Sequence, residues 1–354
     1  MDKEKKLSRR RFIKSVAAGA FLFSLPPNIL ENIPVEGKSA PLLPGSGEKS
    51  RVVIVHNPSS VDDNGRINEK ELPLMLEAGI KELTGKADLA SAWESLFAQL
   101  NSTDGIGIKV NSVINKTHLG THPQLAMALA LQLSAIGVAQ EHIIIWERKN
   151  QELNLAGYSF NKGDRGIQIY GTDTEEVGYD EEITVLVSGS RLRLSRILTS
   201  HIQHLINLPV LKDHSISGVT LSLKNHYGSI PLGDNMSIAR PYIKAMHQNH
   251  CNPQIAQLNT APALKDKSRL IIIDALMGVY DGGPDTLPQW TYRSLIMATD
   301  PVACDLQGRT VIERKRKEMG LPSIMPKVGH IEAAAKKGLG IAQPQMIDLR
   351  RINL

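Results

Sequence analysis

With 354 residues, 42% of them hydrophobic and 22% charged, the chain has the composition of a globular protein with a substantial core, not of a disordered one. Its net charge of +5 is carried by the first fourteen residues, where Lys3, Lys5, Lys6, Arg9, Arg10, Arg11 and Lys14 face only Asp2 and Glu4, so the remainder is neutral on balance. That balance, with an aromatic content of 4%, argues against nucleic-acid binding.

Two cysteines, Cys251 and Cys304, are too few for a disulfide framework and cannot alone supply the four thiolates of an iron–sulfur cluster. Whether they pair is left open. No run of eighteen apolar residues suggests an ordinary membrane span.

Ser8-Arg9-Arg10-Arg11-Phe12-Ile13-Lys14 matches the twin-arginine export pattern S-R-R-x-F-L-K with Ile for Leu, and a modest apolar stretch and Pro26-Pro27 follow. Residues 1–27 are therefore expected to be an export signal read by the twin-arginine translocon, and the protein periplasmic or otherwise outside the cytoplasm. No clean cleavage site is present; processing near Ser39-Ala40 and an uncleaved membrane anchor both stay open. Residues 28–50, rich in Pro, Gly and Ser, read as a linker, leaving 51–354 as the folded domain.

Residues 51–56 form a β-branched run ending at the turn signal Asn57-Pro58, a first strand. Leu72, Leu76, Ile80 and Leu83 give helical spacing over 69–83, and Trp93 and Phe97 mark a second helix over 89–100 whose aromatics read as core. A second strand at 105–110 contains Lys109. It opens into a polar loop, 111–122, that carries Asn111, Thr117, His118, Thr121 and His122. Pro123 starts a helix to Ile136, whose N-terminus suits either simple capping or an anion. Residues 142–146 make a third strand, followed at once by Glu147 and Arg148. Strands alternating with helices predict an α/β fold: one large domain with a mixed, largely parallel sheet flanked by helices.

A short strand is expected at 166–170, and 182–187 with 191–198 form either a hairpin or a small subdomain. Residues 205–211 read as a buried strand, kinked or at an edge because Pro209 has no amide donor. Lys212, Asp213 and His214 follow at its end, where ligands gather in open α/β sheets. A second short extended segment, 218–223, leads to Lys224-Asn225-His226-Tyr227-Gly228. Two lysines, two imidazoles and an amide at successive segment ends suit a small anion, with lysine as a point charge and Asn as a donor. The alternative is solvated lysines and histidines satisfied by backbone carbonyls.

His247, His250 and Cys251 lie within five residues and are candidate ligands for a transition metal, with Asn252-Pro253 indicating a turn. Residues 269–274 predict a strand ending in Asp274. Asp300, before Pro301, either caps the helix running to Glu318 or binds a ligand. A last helix covers 331–337.

The pieces GIKVN (107–111), THP (121–123), INLPVLKDH (206–214), GVTLSLKNHYG (218–228), HQNHC (247–251) and DPVACD (300–305) together resemble domain-of-unknown-function family 362. The likeness spans about residues 51–340 and includes the leader found in one subgroup. It implies that Lys109, Lys212, His214, Lys224 and Asn225 belong to the family's signature, without giving them roles. Some relatives carry iron–sulfur modules whose cysteine motifs are missing here.

The expectation is an exported enzyme or cofactor-handling protein acting on a small anionic ligand. Its pocket gathers His214, His226, Lys212 and Lys224, with one histidine as general base and the lysines stabilising an oxyanion. Lys109, Asn111, Asn225, Asp274 and Asp300 complete it. The alternative is a non-catalytic periplasmic binding or assembly factor that serves a redox partner protein.

Overall fold

Alternating apolar side chains place strand β1 (Ser50–His56) between two cores: Val52 and Ile54 face one, Val53 and Val55 the other. The same two-sided burial runs across the sheet that organises the protein. The structure, a computed structural model, describes residues 47–97, 100–112, 119–232 and 244–354. The export motif Ser8–Lys14 and His118 lie outside the described residues, as does most of the expected linker. Among those described, no helix is long and apolar enough to cross a membrane.

The remaining elements along the chain are α1 (Glu71–Thr84), α2 (Leu89–Phe97), β2 (Ile106–Val110), α3 (Pro123–Ala135), β3 (Ile143–Glu147), α4 (Asn150–Leu155), β4 (Gln168–Gly171), β5 (Tyr179–Val187), β6 (Ser190–Ser195), β7 (His204–Leu208), β8 (Val210–His214), β9 (Gly218–Val219), α5 (Leu221–Asn225), α6 (Gln254–Leu258), α7 (Pro262–Lys265), β10 (Ser268–Val279), β11 (Trp290–Ala298), α8 (Pro301–Glu318), α9 (Gly329–Lys336) and β12 (Ile347–Asn353). The main sheet runs β12-β1-β11-β10-β7-β2-β3-β4, with β8 and β9 attached through β10. Pairings are parallel except β1–β11, β10–β11 and β8–β9, so the domain is α/β with a mixed, largely parallel sheet flanked by helices. A separate hairpin, β5–β6, contributes Val185, Val187, Leu192 and Leu194 to one of the two cores. Trp93 and Phe97 stack in the core with centroids 5.8 Å apart.

Three departures from the expected elements shape the site. The expected strand 205–211 is two strands. Pro209 cannot donate, and its carbonyl accepts from the Asp274 amide at 2.8 Å, so pairing with β10 breaks there and resumes on β8. In consequence the strand expected to end at Asp274 runs on to Val279, and Asp274 sits mid-strand. The third departure is at 218–223, where only Gly218 and Val219 are extended and helix α5 follows. Buried Asp305 accepts from the Ser222 and Leu223 amides at 2.8 and 3.0 Å and so caps that helix. Leu221 is held at φ 47°, and α8 leaves it room at Gly308, where a Cβ would approach its methyl groups to 2.9 Å.

Candidate functional site

Helix α5 delivers Lys224 and Asn225 to the end of β8, which delivers Lys212 and His214. These four line one cavity of about 200 Å³ with Asn111, Arg148, Thr220, Tyr227, Gly228, Leu232, His247 and Pro284. All four are at least nine-tenths buried.

The two lysines differ in how they are held. Lys212 donates to the Leu119 carbonyl at 3.0 Å. Lys224 lies 4.5 Å from the Tyr227 ring centroid, a cation–π contact, and among the described residues no carboxylate pairs with it. Burial lowers both ammonium groups to about 8, and for Lys212 the charge of Lys224 adds to the effect.

His214 has its tautomer set by the backbone: Nδ1 accepts from the Ile216 and Ser217 amides at 3.1 and 3.3 Å. The proton of the neutral ring is therefore on Nε2, and burial, followed by Lys224, His247 and Lys212, holds the ring neutral. A neutral ring with Nε2–H is a hydrogen-bond donor. This geometry gives His214 the role of donor in place of the expected general base. Three polar atoms on cavity-lining residues are buried without a hydrogen-bond partner among the described residues: Asn111 Oδ1, Arg148 Nε and Thr220 Oγ1. Such orphaned atoms are costly unless a ligand satisfies them.

Beneath the cavity is an ion pair with no exposure on either side chain. Lys109 Nζ meets Glu147 Oε1 at 2.7 Å and the Val110 carbonyl at 2.7 Å, and Glu147 also accepts from the amides of Ser112 and Arg148. Lys109 is thus spent inside the sheet and does not line the cavity. Gly228 rests on this pair; a Cβ there would lie 2.2 Å from Glu147 Oε1. Asn225 ties the layers together, donating to Asn207 Oδ1 at 2.7 Å and the Lys109 carbonyl at 3.3 Å while accepting from Asn111 at 2.9 Å. Asn207 continues to His226 Nε2 at 3.1 Å. His226 faces a second cavity of about 80 Å³ on the other side of this amide chain, and burial holds it neutral at about 3. It is therefore separate from the lysine pair it was expected to join.

Residues 106–309 match the family described as Domain of unknown function (DUF362). The chain belongs to that family. A solved structure of a Thermotoga maritima protein is similar to this DUF362 chain with a TM-score of 0.40 and 13% identity, covering 71% of this chain and 59% of that one. This chain thus spans less than two thirds of that protein's length. No curated protein matches.

The other expected site residues of this DUF362 chain have different surroundings. Asp300 caps α8, accepting from Val302 and Ala303 amides at 2.9 Å each, and also accepts from the Ile341 amide at 2.8 Å, so both oxygens are engaged within the fold; it does not line the cavity. Asp274 is buried against His122, whose Nδ1 is 2.7 Å from Oδ2, and does not line the cavity. Of the proposed metal ligands, His247 lines the cavity, its ring 5.9 Å from that of His214. His250 is exposed with Nδ1 2.9 Å from the Ile216 carbonyl, and Cys251 is buried with its thiol unpaired to Cys304. Among the described residues no three His, Cys, Asp or Glu side chains converge as a metal site.

Sequence reasoning passed over Arg148, Thr220 and the His122–Asp274 pair. Arg148 was marked only by its place after a strand. Burial opposes the charge on His122, yet the Asp274 carboxylate outweighs it and raises the imidazole above its ordinary value. The Thr121-His122-Pro123 start of α3 was the signal available.

Proposed function

We propose that this protein is an exported enzyme or cofactor-handling protein that binds a small anionic ligand in the cavity between β8 and α5. The observation that carries this reading is Lys224: a buried ammonium group on the cavity wall with no carboxylate against it among the described residues and a second lysine, Lys212, beside it. A buried cation is unfavourable unless an opposite charge meets it. A carboxylate or phosphate supplies that charge, and the Nε2–H of His214, the Nε–H of Arg148 and the Thr220 hydroxyl supply donors around it. In a reaction that builds negative charge on oxygen, the same donors stabilise the oxyanion. The expected result is that phosphate or a small carboxylic acid, titrated by calorimetry, binds the wild type. Lys212→Ala, which removes one of the two charges, weakens binding by roughly 10-fold or more, about the cost of one charged hydrogen bond. Unchanged affinity in that variant rules the cavity out as the anion site.

Export is supported by Arg9 and Arg10 within the leader motif. Replacing both by Lys is expected to hold the protein in the cytoplasm, read by cell fractionation; continued export of the double variant refutes the assignment.

A further inference from the structure

The cavity brings a buried primary amine, held among the described residues by a ring face instead of a hydrogen-bond acceptor, to the place where the proposed anion binds. We infer that Lys224 forms an imine with a small oxo acid, a ligand that carries a carbonyl group beside its carboxylate. The inference rests on the anion-site reading above and names the ligand class and the reacting atom.

The two lysines are not equivalent candidates. Lys212 Nζ donates to the Leu119 carbonyl at 3.0 Å, a bond that is stronger for the ammonium form and that anchors the nitrogen at that wall of the cavity. Among the described residues the partner of Lys224 Nζ is the Tyr227 ring at 4.5 Å and no hydrogen-bond acceptor, so a neutral amine there has its lone pair available on the cavity wall. A lysine desolvated in a pocket next to another cation is the arrangement that activates amine nucleophiles. Lys212 and the Nε–H of Arg148, whose terminal nitrogens bond Glu152 and the Leu232 carbonyl, hold the carboxylate while Lys224 is neutral. Burial that brings Lys224 to about 8 supplies the neutral form near physiological pH.

The step balances without oxidant or reductant. The Nζ lone pair adds to the carbonyl carbon and forms the C–N bond, while the carbonyl π pair takes up a proton to give a carbinolamine. The hydroxyl then departs as water as the C=N bond forms, and both protons of the neutral amine leave with it. The proton taken up by the oxygen comes from the Nζ nitrogen, which is cationic on addition, while the Nε2–H of His214 and the Thr220 hydroxyl on the cavity wall donate hydrogen bonds to that oxygen.

Pyruvate is the probe, with lactate as the partner of like charge that has no carbonyl. The full-length protein is incubated with pyruvate and sodium borohydride, analysed by intact mass and peptide mapping, and titrated with lactate in parallel. The expected result is one carboxyethyl adduct per chain, mapped to Lys224. It is absent from Lys224→Arg, which keeps the cation but not the amine, and its rate rises with pH through about 8 as Lys224 loses its proton. Lactate binding with no adduct at Lys224, or with adducts scattered over surface lysines, overturns the imine and leaves the anion site standing. Binding of neither acid overturns both. A melting curve for Lys224→Arg like that of the wild type shows that loss of the adduct is not loss of fold.

Discussion

Lys224→Met is expected to abolish small-anion binding and, at about pH 7, to make the protein more stable than the wild type by roughly 1–2 kcal/mol. The two effects have one cause. Burial lowers Lys224 from 10.5 to about 8. At about 1.4 kcal/mol per pKa unit, that corresponds to roughly 3 kcal/mol disfavouring the charged form in the folded state. Methionine also forgoes the cation–π attraction to Tyr227, which offsets about 1–2 kcal/mol of that gain. The folded-state value lies below the unfolded one, so the penalty is full below about pH 8 and fades as pH rises toward that of a free lysine. The stability gain of Lys224→Met over wild type should therefore shrink between those limits in denaturant titrations. A variant less stable than wild type at neutral pH would show that this ammonium is already compensated within the fold. A stabilising substitution that eliminates binding is the pattern expected where a group serves a ligand at the expense of the fold.

Lys109→Met is expected to have the opposite signature, a loss of about 3–5 kcal/mol in unfolding free energy. It strands Glu147, whose side chain has no exposure and whose oxygens also accept from the Ser112 and Arg148 amides. Burial of Lys109 works against its own charge, lowering its pKa, while the Glu147 carboxylate pulls the other way. Adding Glu147→Gln, which keeps an acceptor oxygen and removes the charge, should recover most of the loss. The double-variant cycle distinguishes a charge effect from a packing effect: no recovery would mean that the lysine stem, not the ion pair, stabilises this layer.

The contrast between these lysines shows what the sequence could convey. The strands were legible because short β-branched runs, such as 51–56 and 142–146, become strands buried on both faces, within one residue of those bounds. Lys212 and His214 were legible as site residues because they follow an apolar run directly. Lys109 looks the same in one dimension. Its role is decided by Glu147, thirty-eight residues away, and by a register that sets it beside Asn207 and Trp146. Helix α5 was hidden for a related reason. Its cap, Asp305, lies 83 residues from Ser222, so local pattern read an extended segment. His226 shares a sequence cluster with Lys224 but turns to the opposite side of the amide chain, because two helical steps rotate a side chain by about 200°.

Two buried lysines hold a small anion in this account, and the most direct test is calorimetric titration of lactate, which cannot form an imine, into the wild-type protein at about pH 7 and about pH 9.5, on either side of the values set by burial. With both lysines near 8, the account predicts tight binding at the lower pH and a loss of at least about 10-fold at the higher one, where both ammonium groups are mostly neutral. Equal affinity at the two pH values, or no binding at either, would contradict it.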